Sequence, residues 1–260
     1  MVAGLLILGC NFKKQPFFIL FAFYLFVEDL LMSLTIPVII GAISATFVIT
    51  LIYGSLFIQR REKFMLIWTV GWLTALTGFI PFMITFINRD ILWTILHKAS
   101  IHAYVIMLLW GSHIFFGRRM RRLWVYGTLA AYVFDVAGYT FHMQYLTHTI
   151  PSCAFLSSML IYNGILFLRS DNIPGKNITG ICSILWGLHT LDYPLLSTIQ
   201  SFAPWGYMIA NGLSFGISFG ILLYYLENKN IKLIESETKY RELADSLPDV
   251  VFEIDLEGKL

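Results

Sequence analysis

Seven stretches of this chain are each long and apolar enough to fill a bilayer: about 35–58, 64–88, 91–116, 123–143, 146–168, 178–199 and 203–226. A crossing helix needs roughly 20 mostly apolar residues, because lipid offers no partner for a free backbone N–H or C=O and the helix pairs them internally. With short connections between them, these stretches predict an all-α membrane protein built as a seven-helix bundle. Composition points the same way. Charged residues make up 13% of the chain and hydrophobic ones 57%, whereas an average soluble domain is about a quarter charged. A chain this apolar cannot cover a water-facing surface, so the lipid bilayer is its expected main partner. The net charge of +2 is small, and its charges are segregated; no nucleic-acid partner is expected.

The segregated charges set an orientation. Arg60-Arg61-Glu62-Lys63 follows the first stretch and Arg118-Arg119-Met120-Arg121-Arg122 the third. Arg169 and Lys176 follow the fifth, and Lys229 and Lys232 the seventh, whereas the opposite loops hold only Arg89. If all the stretches cross, every basic cluster falls on one side. Basic loops stay in the cytoplasm. The expectation is a multi-pass protein of the cell membrane with its C-terminus in the cytoplasm.

Both ends need separate treatment. Residues 1–34 form an N-terminal segment whose apolar part, 16–31, follows Lys13-Lys14 and would make an eighth span entering from inside. A start at Met32 is the alternative. At the other end, the chain turns polar and helix-favouring at Glu227. Leu226, Leu233, Tyr240 and Leu247 recur every seven residues, with Asn230 and Glu237 interrupting the seam. This reads as a cytoplasmic signalling helix over 227–247 that pairs with a second copy, giving a homodimer. Pro248 ends it. Residues 248–260 then offer a strand over Val250–Asp255 and a turn at Asp255-Leu256-Glu257-Gly258.

The run from Tyr240 through Ser246-Leu247-Pro248-Asp249 to Gly258-Lys259 resembles the opening of a PAS domain: amphipathic helix, Leu-Pro-Asp break, first strand, Asp-x-x-Gly hairpin. It covers the start of that domain alone. Three stretches of the membrane part are similar to the seven-span input regions that precede PAS, histidine kinase and diguanylate cyclase modules in bacteria and archaea. They are Arg60-Arg61-Glu62-Lys63-Phe64-Met65-Leu66-Ile67-Trp68-Thr69-Val70-Gly71-Trp72, Trp186-Gly187-Leu188-His189-Thr190-Leu191-Asp192-Tyr193-Pro194 and Phe202-Ala203-Pro204-Trp205-Gly206-Tyr207. The resemblance implies the signal-input module of a sensor histidine kinase, with a downstream cytoplasmic transmitter and a response regulator as partners. A diguanylate cyclase output is the alternative within that role. A transporter or membrane enzyme is the alternative outside it, but no pair of Gly/Pro-broken spans occupies corresponding halves.

Polar residues inside the spans mark the candidate site, because each is costly in lipid and faces the bundle or a cavity. At about 1.5 Å per residue, Lys98, His102, Asp135, His189 and Asp192 reach similar depths in the outer half. Lys98 and His102 are four apart and share a helix face, and Trp186 shares the face of His189. The expected site gathers these groups under a roof of Trp205 and Tyr207, with Lys98 paired to Asp135 or Asp192. It would take a small polar or ionic ligand or titrate through its histidines. The competing readings are a snorkelling Lys98 and an Asp192 that serves the backbone freed by Pro194. His97, His113, His142 and His148 read as packing or interface residues. Gly212, Gly216 and Gly220 form two overlapping Gly-x-x-x-Gly units, suited to close packing within the bundle or to a dimer face. No catalytic signature is visible. Cys10, Cys153 and Cys182 lack metal-ligand spacing, no His-x-x-x-His pair occurs, and neither haem nor a metal is expected as cofactor.

Overall fold

The structure is a computed structural model that describes residues 16–246, apart from 86, 89, 171, 172, 198, 200 and 201. Residues 1–15 and the expected PAS strand and hairpin within 248–260 lie outside the described residues. Seven helices follow in order: α1 (Pro16–Arg60), α2 (Lys63–Thr85), α3 (Ile91–Phe115), α4 (Arg122–Thr140), α5 (Tyr145–Leu168), α6 (Lys176–Leu196) and α7 (Ala203–Ser246). Five of them are long and apolar enough to cross a membrane.

Helices α4 and α6 fall short of that apolarity although, at 19 and 21 residues, they rise roughly 28 and 31 Å, close to the hydrocarbon thickness. Their deficit has a local cause. Asp135 lies in α4, and His189 and Asp192 lie in α6.

The N-terminal expectation changes. Segment 16–31 is not a separate helix: α1 runs 45 residues without a break. No Gly, Pro, Asn or Asp lies between Met32 and Thr35, and Pro37 lies inside the helix. A second crossing in the opposite direction would need a reversal, and α1 contains none. The described residues hold seven helices and no eighth.

Consecutive helices pack side by side, α1 also packs on α7 to close the ring, and α3 touches α5, which leaves α4 on the periphery against α3 and α5. Large apolar side chains cover the outside, among them Ile36, Ile40, Phe47, Leu123, Leu129, Ile181 and Phe215. An outward apolar coat of this extent suits lipid, not water.

The half of the bundle nearest the basic loops is solid. Phe64 and Trp68 of α2 meet Phe115 of α3 and Tyr225 of α7, with ring centroids 5.0 to 5.8 Å apart. Phe167 of α5 joins through Phe116 at 5.0 Å and Tyr224 at 5.9 Å. Polar tips in this core reach neighbouring helices: Tyr53 Oη donates to the Ser218 carbonyl at 2.8 Å and Trp68 Nε1 to the Leu108 carbonyl at 3.2 Å. That is how a buried Tyr or Trp avoids an orphaned donor.

Small residues bring α5, α6 and α7 together. Gly175 starts α6 at φ +90°, a conformation that glycine adopts without strain. A Cβ there would also run into the Gly220 carbonyl and come within 2.6 Å of the Tyr224 nitrogen. A Cβ on Gly220 would meet the Thr179 nitrogen at 2.7 Å, and one on Gly216 the Cys182 sulfur at 2.6 Å. These two glycines are used inside the bundle, against α6, and are not free for a dimer face. Gly212 differs, because nothing lies within 4 Å of a Cβ built on it.

Helix α7 runs 44 residues, roughly 66 Å, or about twice the hydrocarbon thickness. From Lys229 to Asp245 every side chain but Ser236 is exposed. The last crossing segment and the polar tail are therefore one helix. Where they meet, Lys229 Nζ pairs with Glu62 Oε1 at 2.6 Å and lies 5.6 Å from the Tyr225 ring centroid.

Candidate functional site

The other half of the bundle is hollow. A cavity of about 520 Å³ opens there, with every helix except the tail of α7 contributing to its wall. That volume is in the range of small-molecule sites. Most of the wall is apolar or aromatic, with Trp72, Phe79, Phe82, Tyr104, Trp186 and Tyr207 among its residues. Lys98, His102, Asp135, His189 and Asp192 also line it.

Two polar clusters form within this half. The first joins α3, α4 and α5. Lys98 Nζ donates to both oxygens of Asp135 at 2.7 Å. Burial leaves the Asp135 side chain 5% exposed. His148 Nδ1 lies 2.7 Å from Asp135 Oδ1, so that nitrogen carries the proton and donates to the carboxylate. The Lys98 ammonium also sits 5.8 Å from the Tyr139 ring centroid. Beside it, His102 Nδ1 lies 2.8 Å from the Lys98 carbonyl and its Nε2 3.0 Å from Ser152 Oγ. A carbonyl can only accept, so Nδ1 donates and Nε2 accepts from the serine hydroxyl. Lys98 is thus an ion-pair partner rather than a snorkelling side chain. Its charge is spent on Asp135, as a buried charge in low dielectric requires.

The second cluster joins α6 to the start of α7. His189 Nε2 lies 3.1 Å from the Gly206 carbonyl and Nδ1 3.2 Å from Asp192 Oδ2. Both partners are acceptors. The two bonds together require a proton on each ring nitrogen, or one on the carboxyl group, and in either case the pair has no net charge. Asp192 Oδ1 is 3.0 Å from the same Nδ1 but makes no hydrogen bond to any protein group, although the atom is shielded. The Tyr104 hydroxyl, on the same cavity wall, is likewise buried without a partner.

Of the residues singled out in the sequence, seven line the cavity: Lys98, His102, Asp135, Trp186, His189, Asp192 and Tyr207. Trp205 does not. It is 50% exposed and outside the cavity wall, on the outer side of α7. Lys98 pairs with Asp135, and Asp192 with His189, so the expected single cluster is two.

By sequence His97 and His148 are packing or interface residues, yet both belong here. His97 lines the cavity and binds the Gly78 carbonyl through Nδ1 at 3.0 Å. His148 is a direct partner of Asp135. The signal for His148 was the α4–α5 hairpin. A short connection makes the helices antiparallel, so Asp135 near the end of α4 and His148 near the start of α5 fall at the same level. His113 instead bonds its own helix, at the Leu109 carbonyl. The structure gives His142 no role in the cavity, and it occupies the α4–α5 turn at φ 54°.

Neither the sequence nor the fold finds a match: no protein-family model, no curated protein and no solved structure aligns with this chain. The likeness to seven-span input regions and to a PAS start rests on the residues quoted for it.

Proposed function

We propose that this chain is the membrane-embedded signal-input module of a sensor histidine kinase, in which occupancy of the cavity biases α7 and α7 carries the bias into the cytoplasm. One observation supports this reading above the others. Helix α7 contributes Gly206, Tyr207, Ala210, Asn211 and Ser214 to the cavity wall and continues without interruption to Ser246. A helix that is both wall and exit can transmit a shift or rotation without any further hinge. Such a shift requires that the stimulus bind one packing of the bundle better than the other.

In this reading all seven helices cross the cytoplasmic membrane. The hollow half faces outward, the basic loops face inward, and the C-terminus is cytoplasmic. The exposed Leu226, Leu233 and Tyr240 of the tail form the seam with a second copy. The PAS start at 248–260 opens the output, and a response regulator lies beyond it. A cyclase output would keep the same input.

Reading the gene past codon 260 is the test. The expected frame completes the PAS domain and continues into a phosphoacceptor-histidine helix and an ATP-binding domain. A diguanylate cyclase domain would exchange the output and keep the input role. A frame that completes a transport domain, or a catalytic domain other than a kinase or cyclase, would overturn it. With the transmitter attached, Asp192→Asn and His189→Ala should alter autophosphorylation without altering membrane insertion; wild-type output from both would remove the cavity from the signal path.

A further inference from the structure

We propose that the cavity is a binding site for an organic ammonium ion with an apolar, aromatic-compatible body, and that Asp192 and His189 hold its charged head. This rests on the input-module reading above, whose stimulus it names by chemical class.

The argument begins with charge. One lysine, Lys98, is the only Lys or Arg among the described residues of the cavity wall. Both oxygens of Asp135 already bind its ammonium. No free cation is left to hold an anionic head group. Asp192 is different: its side chain is 43% exposed, and its carboxylate meets His189 Nδ1 alone, at 3.0 Å from Oδ1 and 3.2 Å from Oδ2, with no other hydrogen-bond donor among the described residues. A half-exposed carboxylate with one neighbour has lone pairs left for a further donor. The partnerless Tyr104 hydroxyl on the same wall adds a second open group. A plain acyl chain would satisfy neither.

The cavity wall suits a cation. Trp186 and Tyr207 line the cavity with Asp192, and Phe82 stands 5.5 Å from Tyr207, ring to ring. Aromatic faces attract an ammonium ion, more so where water is thin. The remaining volume takes an apolar body.

The proton balance closes. With the cavity empty of ligand, the His189–Asp192 pair holds one proton that makes it neutral. An incoming ammonium donates one N–H to the Asp192 carboxylate and one to His189 Nδ1. His189 keeps the Nε2–H that binds the Gly206 carbonyl, and the displaced proton leaves to solvent. One positive charge replaces another. Other titratable groups lie around the pair: Tyr207 on α7, Tyr145 and Cys153 on α5, Tyr193 on α6, and His97, Lys98, His102 and Asp135 across the cavity. Lys98 and Asp135 are spent on each other, which leaves Asp192 as the carboxylate of the wall that is open to the ligand. The Gly206 carbonyl opens α7, so a head group seated here sits where the output helix begins.

Binding to the full chain in lipid nanodiscs tests this, using 2-(biphenyl-4-yl)ethylammonium, the corresponding alcohol and 3-(biphenyl-4-yl)propionate, followed by tryptophan fluorescence. The ammonium should bind saturably, and the alcohol and the Asp192→Asn variant should each weaken binding about tenfold or more, the loss expected for a charged hydrogen bond. Equal binding of all three probes, or undiminished ammonium binding by Asp192→Asn, would overturn the proposal. The probe comparison on the unaltered chain stands even if the variant misfolds. Spin labels at Arg119 and Glu237 read the relay separately. Ammonium binding with no change in their separation would leave the ligand class standing and sink the input role. A changed separation driven by the carboxylate probe alone would do the reverse.

Discussion

The same helices build both halves of this bundle, yet the halves are packed to opposite ends. Toward the basic loops, Phe64, Trp68, Phe115, Phe167, Tyr224 and Tyr225 interlock with little space left. Toward the other end, about 520 Å³ stays open, and the residues around it are ion pairs, hydroxyls and histidines as well as rings. In lipid, helix association gains little from the hydrophobic effect and depends on close packing and interhelical hydrogen bonds. The solid half supplies the packing. The hollow half gives up contact area and holds itself together through Lys98–Asp135–His148 and the bond from His189 to the Gly206 carbonyl. The lesson is a division of labour: one half fixes the fold so that the other can stay empty.

Substitutions can break that comparison. The largest effect is expected at the one knot that the hollow half cannot lose. Asp135→Ala leaves the Lys98 charge buried without its partner and should cost about 3–5 kcal/mol, read by unfolding in detergent micelles. A paired Lys98→Met, Asp135→Leu variant should recover most of it. In the solid half, Trp68→Ala should cost a similar 3–5 kcal/mol through the space it opens. A loss under about 1 kcal/mol, the scale of a peripheral site, would mean that this half is not the anchor.

The next contrast lies within α7. Gly220→Leu drives a side chain into the Thr179 backbone and should cost about 1–3 kcal/mol. Ala210→Leu, ten positions earlier in the same helix, points into open volume and should be neutral or stabilising in the same assay, while reducing the space available to a ligand. Equal penalties at the two positions would erase the distinction between the halves. The smallest effect is expected at the Glu62–Lys229 pair. Lys229 is 48% exposed and Glu62 28%, so Glu62→Gln should change stability by no more than about 1 kcal/mol. A larger loss would show that the exit of α7 is clamped rather than merely touched.

Much of this arrangement was legible in the sequence. Apolar stretches of bilayer length place five of the seven helices, α2 to α6, within a few residues, and the cost of a buried charge was enough to pair Lys98 with an aspartate. Other features were not legible, for identifiable reasons. Trp205 and Tyr207 both look like roof residues by type, but Trp205 faces outward from α7 while Tyr207 lines the cavity, and residue type does not separate the two. His148 carries no label that separates a packing histidine from a carboxylate partner; the α4–α5 hairpin supplies the missing level. The unbroken α1 hides behind Pro37, which the helix accommodates. Gly212 repeats the spacing of Gly216 and Gly220, yet only the latter two face α6.

The comparison of halves depends on α4 and α6 crossing the membrane, although neither is among the five helices apolar enough to be assigned as spans on composition. Helix α4 is the sharper test, because it is peripheral and carries Asp135. Reporter fusions after Arg122 and after Gln144 bracket it. A cytoplasmic signal from the first and an external signal from the second is the predicted result, with Asp135 carried into the membrane to meet Lys98. A cytoplasmic signal from both would mean that α4 stays on the inner side, and the hollow half proposed to face outward would not exist in this form.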